Sequence, residues 1–159
     1  MAEALDEIRN FAVVEGRIGT AGQPTAAQLT AIAAAGYQRV INLGLLDPKY
    51  CLPDEAGLAN TLGMAYQHIP VRFDAPTLDD FAKFVTAMDA ASNDADARVF
   101  VHCAANYRVS AFVALWGELR LGWNRAQADQ QAARFWQPNP VWQAFIAACR
   151  ARFIDPPAP

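Results

Sequence analysis

The sequence predicts one α/β domain with a central, mostly parallel sheet of four to five strands flanked by helices. Two observations carry this. Short apolar runs alternate with helix-length segments, the order of βαβ units. The 159 residues are 53% hydrophobic, with 33 alanines among them. The remaining larger apolar residues suffice for a core, and a chain of this length buries roughly 68–70% of its potential surface. No repeat, low-complexity block or linker divides residues 1–159. The core is expected over about 10–153, with 154–159 a proline-rich tail that cannot continue a helix.

The elements follow from local punctuation. Residues 11–14 and 16–20 read as short strands around Gly16. Thr25 and Gln28 form a capping box that opens an alanine-rich helix, and Gly36 ends it. Val40-Ile41-Asn42-Leu43 is a buried strand, 44–53 a loop, and 54–62 a helix stopped by Gly63. Residues 66–71 form the next strand. Thr77-Leu78-Asp79-Asp80 is a second capping signature, before a helix with Leu78, Phe81, Phe84, Val85 and Met88 on one face. Val99-Phe100-Val101 is apolar throughout, as in a strand covered on both sides. A buried helix is expected over 110–121, one from Asn124 through Trp136, and a last one over 140–152.

Composition narrows the function. Charged residues are 18%, the net charge is −3 and the pI is near 5.3. A nucleic-acid binder with a basic face has a pI above about 9, and disorder requires low hydrophobicity with high net charge. No run of 18 or more apolar residues is present, and the acidic start Met1-Ala2-Glu3-Ala4-Leu5-Asp6-Glu7 is not a signal peptide. Three cysteines are too few for a disulfide scaffold. These features predict a cytoplasmic protein that does not act on nucleic acid or membranes. The two histidines lie far apart, with no Cys-x2-Cys or His-x3-His pattern, so neither a metal nor a cofactor is expected.

In such sheets, ligands bind beyond the carboxyl ends of the strands. The loops 43–53, 71–77 and 102–110 reach that edge. The third carries the chemistry. Val99-Phe100-Val101-His102-Cys103 ends a strand, and Ala104-Ala105-Asn106-Tyr107-Arg108-Val109-Ser110 enters a helix. A helix N-terminus and curled backbone amides bind anions. The same positive potential favours the thiolate, which is the nucleophile. An arginine fork matches a phosphate, and a nearby hydroxyl can protonate a leaving thiolate. The set suits phosphoester attack through a phosphocysteine.

At these residues the chain resembles the cysteine-dependent protein tyrosine and dual-specificity phosphatases, whose signature is His-Cys-x-x-Gly-x-x-Arg-Ser/Thr. Thr20-Ala21-Gly22-Gln23-Pro24, Gly36-Tyr37-Gln38-Arg39-Val40-Ile41-Asn42-Leu43 and Tyr66-Gln67-His68-Ile69-Pro70-Val71 extend the resemblance to small bacterial phosphatase-like domains. It covers roughly residues 10–122. It implies a phosphorylated substrate, protein or small molecule. It makes Cys103 the nucleophile, Arg108 the phosphate clamp with the amides of residues 104–109, and Ser110 the group that assists breakdown of the intermediate. His102 would support the loop. The general acid would come from the loop after the preceding strand, where Asp74 lies; Asp79 and Asp80 are rivals with a sufficient role at a helix start.

The arginine departs from the pattern. It stands five positions after the cysteine rather than six, while Ser110 keeps its place and Asn106 replaces the glycine. Asn is the non-glycine residue that best tolerates φ > 0. One step on a helix turns a side chain by about 100°, so Arg108 either reaches the phosphate through a rebuilt loop or misses it. Two alternatives follow: a non-catalytic phosphate-binding pseudophosphatase, and a rhodanese-like sulfurtransferase, whose loops often have Cys-x4-Arg spacing. The usual rhodanese Asp-x-Arg is absent; Asn42-Leu43-Gly44 stands there instead.

Cys51 is a loop thiol with a bystander or resolving role, and Lys49, Tyr50 and Tyr107 are candidate entrance residues. His68 and Cys149 read as core, and Trp116, Trp123, Trp136 and Trp142 as core or helix–helix contacts.

Overall fold

Five strands form the sheet, in the order β1-β2-β5-β3-β4: β1 Ala12–Val14, β2 Ile18–Ala21, β3 Arg39–Asn42, β4 Ala65–His68 and β5 Val99–His102. The structure is a computed structural model that describes residues 5–93 and 96–155. Strands β2 to β5 pair in parallel, and β1 folds back antiparallel on β2 through Glu15 and Gly16, both with positive φ. This is the single α/β domain with a mostly parallel sheet that the sequence predicts. Of the expected tail 154–159, Ile154 still belongs to the last helical turn, and residues 156–159 lie outside the described residues, as do residues 1–4.

The helices form where their caps are written. α1 Ala26–Ala34 begins at the Thr25–Gln28 capping box, and α3 Leu78–Ala91 at the Thr77–Asp80 box. α2 Glu55–Thr61 is capped by Asp54, α5 Arg125–Ala132 by Asn124 with Gln127, and α6 Pro140–Cys149 by Asn139. α4 Tyr107–Arg120 starts three residues earlier than expected, and α5 stops four residues short of Trp136. The chain ends in a wider, π-type turn, Arg150–Ile154.

Strand alternation divides the core. Ile18, Ile41, Val99 and Val101 face α3, α4 and α6 with Phe81, Phe84, Phe112 and Trp142. On the other face, Val40 and Phe100 pack with Leu29, Ile32 and Ala59 of α1 and α2. The two-residue period therefore turns His102 toward α2 and Cys103 toward α4. Registration places Ala21, His102, Asn42 and His68 in one row across four strands, at their carboxyl ends. In a parallel sheet, partners in register share a face. A polar row thus lies beneath the start of α2, where Glu55 is buried.

Candidate active site

Cys103 follows β5 and is 1% exposed, with its N–H donated to the Ala21 carbonyl at 3.3 Å. The chain then curls through Ala104 and Ala105 to Asn106, which adopts a left-handed conformation with φ 69°. That explains an asparagine in the glycine position: among non-glycine residues it has the least difficulty there.

Asn106 is the N-cap of α4, yet its side chain caps no amide. Its Nδ2 donates instead to Asn10 O at 2.7 Å and Thr20 Oγ1 at 3.1 Å. The first-turn amides of a helix have no intrahelical partner, so those of α4 remain turned toward the loop. Asn10 completes a mutual clasp through Nδ2 to Ala105 O at 2.8 Å. The Ser110 hydroxyl points back to Asn106, 2.6 Å from its carbonyl and 3.1 Å from Oδ1. It steadies the left-handed turn.

Arg108 sits in the first turn of α4 and is 6% exposed. Its guanidinium donates to the Val71 carbonyl at 2.8 Å. Among the described residues no carboxylate pairs with it. A buried cation without a counter-ion is costly, and a bound anion removes that cost. The five N–H donors of arginine leave a fork beyond the one bond to Val71. The shift by one residue thus sends Arg108 to the end of the segment after β4, beside the loop that carries Asp74.

Asp74 is exposed and paired with Arg72, also exposed, at 3.1 and 3.2 Å. Such exposed pairs contribute only about 0–1 kcal/mol, so the carboxylate is free to swing. Phe73, next to it, gives its carbonyl to Trp142 Nε1 at 2.8 Å. The Phe73 ring lies 6.5 Å from that of Tyr107 and 5.4 Å from that of Trp136. Tyr107 stacks flat on Trp136 at 4.9 Å. The acid-bearing loop and the cysteine loop are therefore joined by an aromatic contact. Trp136, which packs against the main core as expected, also belongs to this wall.

The upstream motifs wall the loop from its other side. A Cβ on Gly22 would lie 2.5 Å from the Ala104 carbonyl, so only glycine fits. Gln23 N–H donates to that same carbonyl at 3.1 Å. Gly44 lies beside the cysteine too, at ordinary contact distance: a Cβ there would be 3.6 Å from Cys103 Cα and from the Tyr50 ring. Tyr50 OH accepts the Leu45 N–H at 3.0 Å, within the 44–53 loop that passes Cys103 at Gly44.

His102 behind the cysteine meets a residue that sequence reasoning missed. Its Nε2 lies 2.5 Å from Glu55 Oε2, and its Nδ1 lies 3.3 Å from the Cys103 carbonyl. Glu55 also accepts from Gln23 Nε2 at 2.8 Å. Burial pushes the Glu55 carboxyl up, but the His102 hydrogen bond and charge, with Gln23, outweigh it and hold the carboxyl below the usual range. In sequence Glu55 is only an acid at a helix start. His68 Nε2 lies 2.6 Å from Gly44 O, so it serves the loop rather than a metal. Asp79 pairs with Lys83, and Asp80 serves the capping box of α3. Cys51 is half-buried. Cys149 is core, and burial pushes its thiol up to about 12. Among the described residues no helix is long and apolar enough to cross a membrane.

The chain is similar to known proteins over most of its length. A DUF442 protein from Shewanella putrefaciens, assigned to the phosphatases, is 33% identical with TM-score 0.83, over 94% of this chain and 96% of its own. Tk-PTP in its active form shares the fold at 16% identity, TM-score 0.76, over 89% and 97% of the two chains. So does the core catalytic domain of the PP-IP phosphatase SIW14 from S. cerevisiae, at 16% identity, TM-score 0.69, over 88% and 85%. No curated protein matches the chain. Residues 6–140 match the family described as DSP-PTPase phosphatase fused to NAD+ kinase. The chain belongs to that family, within the cysteine-dependent phosphatase superfamily of hydrolases.

Proposed function

We propose that the chain hydrolyses phosphomonoesters through a phosphocysteine on Cys103. The observation that carries this is Arg108: a nearly buried arginine with no carboxylate partner among the described residues, on the uncapped first turn of the helix that follows the cysteine. It supports a dianion-binding loop in a protein whose net charge is −3.

The Cys103 thiolate attacks phosphorus while the bond to the leaving oxygen breaks. Asp74, swung from Arg72, gives that oxygen its proton. Arg108 and the amides of Ala104, Ala105, Asn106, Tyr107 and Val109 hold the equatorial oxygens. Asp74, now a carboxylate, takes a proton from water as the water oxygen attacks phosphorus. The sulfur–phosphorus bond breaks, and inorganic phosphate leaves. Ser110 assists the departing thiolate when its hydroxyl turns from Asn106. The nucleophile must stay reduced, which fits a cytoplasmic setting.

Phosphate release from p-nitrophenyl phosphate, abolished by Cys103→Ser, is the expected result. Thiocyanate from thiosulfate and cyanide without phosphate release would establish sulfur transfer instead. Tight oxyanion binding without turnover of a broad phosphoester panel would make the chain a pseudophosphatase.

A further inference from the structure

Two asparagines 96 residues apart both hold a left-handed backbone, Asn10 at φ 52° and Asn106 at φ 69°. Each bonds the other's segment. Asn10 Nδ2 donates to the Ala105 carbonyl at 2.8 Å, and Asn106 Nδ2 donates to the Asn10 carbonyl at 2.7 Å. Asn106 belongs to the cysteine loop. Asn10 lies just before β1, in a segment that the proposed mechanism does not use. That segment is anchored on both sides of Asn10. Ile8 is 2% exposed, and the Phe11 ring lies 6.4 Å from that of Phe100. The Arg9 carbonyl accepts the Gly22 N–H at 2.7 Å. A fixed backbone therefore presents the Asn10 carboxamide to the loop.

The carbonyls of the loop are met by donors from outside it. Ala104 O accepts the Gln23 N–H at 3.1 Å, and Ala105 O accepts Asn10 Nδ2. Asn106 O accepts the Ser110 N–H at 2.9 Å and the Ser110 hydroxyl at 2.6 Å. In a trans peptide the carbonyl and the next N–H point in opposite directions. A donor that holds a carbonyl outward thus turns the following amide inward. Gln23 and Ser110 do this with backbone N–H groups, whereas Asn10 does it with a side chain alone. We infer that Asn10 is a positioning residue for the anion-binding loop, holding the Ala105–Asn106 peptide with its N–H toward the phosphate. Without that bond the peptide is free to turn and to offer a dianion its carbonyl, which is an acceptor.

The neighbouring polar atoms do not replace Asn10. Asn106 Nδ2 also donates to Thr20 Oγ1 at 3.1 Å, and Thr20 donates onward to Ala12 O at 2.8 Å. Asn106 Oδ1 accepts the Ser110 hydroxyl at 3.1 Å. These bonds brace the Asn106 side chain and leave the Ala105 carbonyl untouched. Among the described residues Asn10 is the one donor to that carbonyl.

Reading the anion as a substrate phosphate rests on the proposed function, but the part of Asn10 in holding it is tested without turnover. N10G deletes the carboxamide and leaves a residue that adopts the left-handed backbone without strain. Inorganic phosphate and vanadate are titrated by calorimetry into the wild type and N10G, after circular dichroism shows both folded. The affinity of N10G should fall about tenfold, the lower range for losing one hydrogen bond to a charged group. Asn124→Ala, which removes the cap of α5, controls for lost stability and should keep the wild-type affinity. Wild-type affinity in N10G, or an equal loss in Asn124→Ala, overturns the inference. A second measurement needs no variant. An anion that accepts the Asn106 N–H polarises its peptide and strengthens the bond at the Ala105 carbonyl. In nitrogen-15 spectra of the wild type, the Asn10 carboxamide proton should therefore move downfield as phosphate saturates, while that of Asn124 stays in place. An Asn10 signal that does not respond to bound phosphate overturns the inference. Phosphate binding that depends on Asn10, in a protein that hydrolyses no phosphoester, would break the phosphatase reading alone. A wild type that binds neither anion overturns both.

Discussion

Glu55 and Glu118 are the same residue type at nearly the same burial, with side chains 3% and 4% exposed. Their surroundings differ in one respect. Glu118 on α4 meets two arginines, Arg125 Nε at 2.8 Å and Arg150 Nε at 2.8 Å. These continue to Asp155 and Asp129. Arginine does not lose its proton in proteins, so this network is fixed in charge and pins α4 to α5 and the C-terminal turn. Glu55 meets His102, whose other ring nitrogen faces the Cys103 carbonyl. Depth alone does not decide what a buried carboxylate does. Its partner decides whether it fastens two helices together or sits behind the cysteine loop.

The contrast predicts that changes at the sheet's carboxyl edge alter rate with little effect on stability, and that changes at Glu118 do the reverse. The largest expected effect is on the edge. Arg108→Ala should lower kcat/KM by about 10³-fold, the upper range for losing one preorganised oxyanion donor. Its melting temperature should hold or rise, because an uncompensated cation is removed. Its counterpart is Glu118→Ala, which leaves two arginines without their shared carboxylate. Each arginine keeps its outer carboxylate, Asp155 or Asp129, so the change should cost on the order of 1 kcal/mol in urea unfolding, with kcat per folded molecule unchanged. A large rate loss there would erase the distinction between the two regions.

Asp74→Asn should slow turnover by about 10²-fold without altering the urea midpoint. An unchanged rate would remove Asp74 from the acid role. The smallest effect concerns acid stability. The Glu55 carboxyl is held below its ordinary range in the folded state. Its contribution is therefore fully present above the unfolded value, about pH 4.3, and is lost as pH falls through the lower folded value. Urea midpoints measured downward from pH 5 should fall less steeply in E55Q than in the wild type.

What the sequence made legible was local. The capping signatures at Thr25 and Thr77 and the cap at Asn124 fix helix starts by bonds within four residues, and the structure contains each. Asn106 was legible as a left-handed turn because few other residues tolerate one. Gly22 was visible only as part of a motif; the Ala104 carbonyl that forbids a side chain comes from the loop after β5, the neighbour of β2 in the sheet but distant in sequence. The start of α4 was misplaced because Tyr107 and Arg108 looked like loop residues, and their helical state depends on the turn at Asn106. Glu55 was illegible because its role arises from a strand partner 47 residues away. Its own neighbourhood, Asp54-Glu55, is what any helix start looks like. Trp136 was hidden for the same reason, its stacking on Tyr107 being tertiary.

The account stands most directly on a covalent bond to Cys103. Asp74→Asn should slow breakdown of the intermediate, so acid quenching during turnover of p-nitrophenyl phosphate should preserve it. Mass spectrometry of the peptide carrying Cys103 is expected to show one phosphoryl group on its sulfur, absent in Cys103→Ser. Continued phosphate release with no adduct on Cys103, or with the adduct on another residue, would contradict the account.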